Sequence, residues 1–127
     1  MSYPLPSPRD RRFRRSQHFS TALRFQLEHT LRRGRMAVLA LTDHTGVLLA
    51  WAGADDLAEE LGAMAPVVAH CWPPELEDAR LPKTDVSVRP IECFGEQLYL
   101  ASLGGGVARD ALLAHSARGI HRILTAN

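Results

Sequence analysis

Apolar positions along this chain follow two different periods. From Phe19 they recur every four residues, at Phe19, Leu23, Leu27 and Leu31, with Ala22 on the same side. That spacing lays one apolar stripe along a helix, predicted over residues 16–33. Ser16 can cap its start, Gly34 suits its stop, and Arg32, Arg33 and Arg35 suit the negative end of its dipole. The next stretch, AVLALTDHTGVLLAWAG from Ala37 to Gly53, is two apolar runs around Asp43-His44-Thr45-Gly46. It predicts a hairpin with strands at about 36–42 and 47–52, and Gly46 at a position that needs positive φ. A strand with one wet face alternates apolar and polar residues, and these two barely do. Both faces of the hairpin therefore need a cover.

A second helix is predicted from Asp55 or Asp56, with Asp56 and Glu59 spaced as a capping pair. Leu57, Leu61, Met64, Ala65 and Val68 form its buried stripe. Pro66 falls inside this pattern and should kink or split the helix near Met64. The segment CWPPELEDARLPKT, residues 71–84, reads as a proline-rich loop with a helical turn at Glu75–Arg80. Strands are predicted at 85–93 and 97–103 around a Phe94-Gly95-Glu96 turn. Gly104-Gly105-Gly106 then breaks the chain before a last helix over 107–124, whose inward face holds Leu112, Leu113, Ser116, Ile120, Ile123 and Leu124. The order of helix, two strands, helix, two strands, helix, with tight hairpins, specifies an α+β fold. Its antiparallel sheet of four to five strands is covered by three helices, in a layered sandwich.

Composition places the chain among ordinary single-domain globular proteins, with 46% hydrophobic and 23% charged residues in 127. Charge adds an asymmetry that the net +1 conceals. Residues 1–35 carry nine arginines against Asp10 and Glu28, whereas residues 36–127 carry six basic and twelve acidic residues. Residues 1–15 are read as a disordered basic arm and 16–127 as the folded domain. The arm has no apolar core of the kind a secretory signal needs, no stretch suits a membrane span, and two cysteines make no disulfide framework. A cytoplasmic protein is the expectation. Phe13 is the one aromatic among the arm's arginines, so stacking on nucleic acid has little support.

Candidate chemistry is sparse. Cys71 is expected to end the second helix as a small hydrophobe and Cys93 to sit in a strand, so neither makes a Cys–His nucleophile. The six histidines show no metal-ligand spacing, and His115 and His121 are too far apart for one helix face. The glycine run before the last helix lacks the lysine and hydroxyl of a phosphate loop. No catalytic residue, metal or cofactor is expected, and the chain is read as a non-enzyme. Trp51, Trp72 and Tyr99 remain as core residues or interface anchors.

The element order and four stretches resemble the roadblock/dynein light-chain family: AVLALTDHTGVLLAWAG, DDLAEELGAMAPVVAH, VSVRPIECFGEQLYLASLG and ARDALLAHSARGIHRIL. The resemblance spans roughly Phe19 to Thr125. It implies a five-stranded sheet with a helix pair on one face, a homodimer joined through sheet edges and second helices, and a small Ras-like GTPase as partner. Residues 71–84 stand where the family has a further strand.

Two functions follow as expectations. The first is a non-enzymatic regulatory or scaffolding module that binds a small Ras-like GTPase, or a complex containing one, in polarity, motility or signalling. Its partner surface is placed at Trp51, Asp55, Glu59, Glu60, Met64 and Trp72. If an arginine were to stabilise phosphoryl-transfer charge, the arm's arginines and Arg109 would be the candidates. The alternative is a small-ligand-sensing domain of profilin-, PAS- or GAF-like shape with a pocket near Trp51 and Tyr99.

Overall fold

The computed structural model describes residues 20–76 and 80–126. The arm, the helix start at Ser16 and the Phe19 contact lie outside the described residues. Helix α1 runs Ser20–Gly34, strands β1 and β2 Met36–Thr42 and Leu48–Gly53, and helix α2 Asp55–Val68. Strands β3 and β4 follow at Val86–Cys93 and Glu96–Gly104, and helix α3 at Arg109–Thr125. The strands form one antiparallel sheet in the order β2-β1-β4-β3.

The two-faced hairpin has its explanation here. On one face Leu39, Leu41, Ala50 and Ala52 meet Leu23 and Leu27 of α1 and Leu113, Ala117, Ile120 and Leu124 of α3. On the other face Val38 and Ala40 meet Ala58, Leu61, Met64 and Ala65 of α2. β1 is central and covered twice, so it carries apolar residues at nearly every position. α1 and α3 lie side by side and antiparallel: a side chain at Gly34 would strike Leu112, and one at Gly119 would strike Gln26.

An irregularity shapes the β2 edge. The register passes from Leu41↔Ala50 to Thr42↔Leu48, so Leu49 is the extra residue of a bulge. Leu48 therefore joins the α2 side while Leu49 packs on the α1 side. The turn before it holds the predicted positive φ, at 91° for Gly46.

Several expectations are corrected. Pro66 does not split α2, which is one segment from Asp55 to Val68. The proline lies in the last turn, where only one helical hydrogen bond is forgone. The Asp56–Glu59 capping pair does not form: Ala54 is the cap residue and makes no side-chain bond. The helical turn at Glu75–Arg80 is a 3₁₀ turn at Pro74–Leu76, and a second at Lys83–Asp85 delays β3 to Val86. α3 starts at Arg109, because Val107 stands fully in solvent. Cys71 is exposed, whereas Cys93 is buried in β3 as expected. Among the described residues the sheet has four strands, and 71–76 with 80–85 contribute no fifth. Instead Leu81 is buried in the α2-side core, with Trp72 and Leu76 packed against it.

Candidate partner interface

α2 gathers the candidate surface. Its first six residues are Asp55-Asp56-Leu57-Ala58-Glu59-Glu60, four acids with no cation. Carboxylates in the first turn complement the positive end of the helix dipole. Three of the four acids are held. The Trp51 indole Nε1 donates to Asp55 Oδ1 at 2.8 Å, tying β2 to the start of α2. Arg80 reaches back across the chain to Asp56 Oδ2 at 3.4 Å and Glu60 Oε2 at 3.5 Å. These pairs are largely exposed and add little stability, yet they fix the 80–85 segment beside α2. Glu59 is exposed on the same helix.

The six predicted residues do not form one patch. Trp51, Asp55, Glu59 and Glu60 cluster at the first half of α2. Met64 is 7% exposed and belongs to the core, so it offers no surface. Trp72 is half-buried after the helix end, where its Nε1 donates to the Leu76 carbonyl at 3.2 Å and its ring packs on the core. Tyr99 is buried too and is not among the residues that line the groove beside Trp51. Arg109 is not a free guanidinium: Nη1 donates to the Thr84 carbonyl at 3.3 Å, and Nε lies 3.8 Å from Asp110.

Two residues of consequence escaped the sequence reading. Arg80 is the first Lys or Arg after Arg35, and the first cation downstream of four clustered acids was a usable signal. Phe25 falls off the four-residue stripe of α1, and it is 66% exposed. With Arg24, Leu49 and Trp51 it lines an open groove of about 390 Å³ between α1 and the free edge of β2.

The hairpin turn above α2 is tied together by one carboxylate. Asp43 Oδ1 accepts from the Thr45 amide at 2.8 Å, the Thr45 hydroxyl at 2.6 Å and the Val47 amide at 3.1 Å. Partial burial disfavours the Asp43 carboxylate, but these three donors outweigh it and lower the pKa.

No family model matches the chain, and no curated protein matches it. Solved structures do. MglB of Myxococcus xanthus superposes with a TM-score of 0.58 at 9% identity, covering 84% of this chain and 98% of that one. An MglB in a tetrameric arrangement gives 0.53 at 17% identity, covering 97% and 95%. The gliding protein MglB of Thermus thermophilus gives 0.51 at 16%, covering 99% and 98%. The chain has the roadblock fold. In roadblock terms its departure is the sheet, which among the described residues ends at β3 without the further strand that the resemblance implied.

Proposed function

We propose that this protein is a regulatory or scaffolding module that binds a small Ras-like GTPase, or a complex containing one, and acts through that contact without catalysing a reaction itself. The observation that carries the reading is the roadblock fold shared with the MglB structures over nearly their whole length. The contact surface in this reading is the first half of α2 with the adjoining β2 edge. There Glu59 is exposed and Asp55 is held in place by Trp51. Its acids would steer a basic partner and act mainly on the association rate.

The reading includes a homodimer and a cytoplasmic location. Val67 of α2, 54% exposed, supplies apolar surface for a second copy. The outer edge of β3 is a poorer choice, since Pro90 has no N–H to give an added strand.

Capture of Ras-like GTPases on the immobilised full chain, in GDP and GTP-analogue states, tests the reading. Retention in either state is expected. The open groove beside Phe25 and Trp51 favours the sensing alternative, for its volume falls in the range of small-molecule sites. No retained GTPase, together with a small ligand that raises the thermal midpoint, would replace the regulator by a sensor.

A further inference from the structure

The sheet separates two faces of opposite charge. α2 has four acids and no cation on one side. On the other side α1 and α3 turn their outer surfaces to solvent together. Arg32 and Arg33 of α1 and Arg118 and Arg122 of α3 are all exposed there. None of these four has a carboxylate of the described residues within ion-pair distance. Helical spacing puts Arg118 and Arg122 four apart on one ridge, opposite the buried Leu113, Ala117, Ile120 and Leu124. Arg32 stands opposite the buried stripe of Leu23, Leu27 and Thr30 in the same way, and so does Phe25. Because α1 and α3 run antiparallel side by side, these ridges adjoin. The result is a broad face of net positive charge, with Glu28 of α1 as an acid among the arginines and one large exposed apolar ring, Phe25, in it. Five more arginines stand earlier in the sequence, at positions 9, 11, 12, 14 and 15.

We propose that this face docks on an anionic lipid surface, with the α1–α3 pair lying in the plane of the headgroups and Phe25 entering the interface. Charge complementarity carries the choice: each Arg near an anionic bilayer contributes about 1 kcal/mol, and two signals, basic and apolar, are what stable peripheral binding takes. Shape separates lipid from duplex DNA. Two packed helices side by side are about 20 Å across, whereas the major groove is about 12 Å wide and admits one. Among the described residues no helix is long and apolar enough to cross a membrane, so the contact is peripheral. Docked this way, the acidic face of α2 points away from the bilayer. The inference rests on the charge layout and is independent of the GTPase reading.

Co-sedimentation of the full chain with vesicles tests it. Vesicles of equal parts phosphatidylcholine and phosphatidylserine should pellet the protein at low salt, and phosphatidylcholine alone should not. Arg32→Gln combined with Arg118→Gln should weaken binding about thirtyfold, the factor that about 1 kcal/mol for each arginine corresponds to. Phe25→Ser should weaken it further, and neither change should move the thermal midpoint by more than a degree or two. The proposal is overturned if anionic vesicles pellet nothing. It is also overturned if the double variant binds as the parent does, because the arm alone would then be the ligand site. Displacement from the vesicles by an equimolar short DNA duplex would overturn it in favour of nucleic acid.

Discussion

Trp51 Nε1 and Asp55 Oδ1 are 2.8 Å apart, and this bond joins the free-edge strand of the sheet to the first residue of α2. The strand ends at Gly53 and the helix starts at Asp55, so the bond closes a corner of only a few residues. It orients an aromatic ring and a carboxylate on the same surface. Trp51→Phe keeps most of the apolar contact and removes the donor. It should cost about 1 kcal/mol in urea unfolding, the usual worth of one hydrogen bond. Asp55→Asn keeps an acceptor and should cost less.

Leu27 and Leu61 are both fully buried, one under α1 and the other under α2. Either change to Ala should destabilise by about 2–5 kcal/mol, because each leaves a cavity on its own side of the sheet. The two effects should add in the double variant, since the sheet lies between the sites. Chemical denaturation of the three variants measures both statements.

Gly53 has φ at 101°, and a Cβ there would lie 2.5 Å from the Ala37 carbonyl oxygen. Backbone cannot swing aside as a side chain does. Gly53→Ala should therefore cost about 1–3 kcal/mol or more, and the loss should exceed that of Gly106→Ala, where a Cβ meets nothing within 4 Å. Thermal unfolding of the pair is the comparison.

The Asp43 turn gives a pH dependence with a definite sign. The folded state lowers the pKa of this carboxyl, so its contribution is present above the ordinary aspartate range and is lost as pH falls through the lower folded value. The stability difference between the parent and Asp43→Ala should be flat near neutrality and shrink in acid below about pH 4. A difference that grows on acidification would mean that the three donors do not favour the carboxylate.

The sequence disclosed most of the fold because the main signals were local. The four-residue stripe of α1, the turn at Gly46 and the apolar runs of β1 and β2 each state their structure within a dozen residues. Pro66 misled because a proline's effect depends on its place in the helix, and α2 ends at Val68, two residues beyond it. Met64 misled in the opposite way. It belongs to the buried stripe of α2, and a stripe residue cannot also serve a partner. Arg80 pairs with acids 20 and 24 positions away, a relation that no local pattern encodes. The outward ridge shared by α1 and α3 was equally hidden, because it needs two helices separated by the whole sheet to lie together.

The central claim is a GTPase contact through the acidic half of α2, and titration calorimetry of the full chain against a captured Ras-like GTPase tests it most directly. The account predicts saturable binding to the parent protein. It also predicts at least tenfold weaker binding by Glu59→Arg, a change at an exposed position that should leave the fold intact. Equal binding by the parent and Glu59→Arg, or no binding in either nucleotide state, would contradict it.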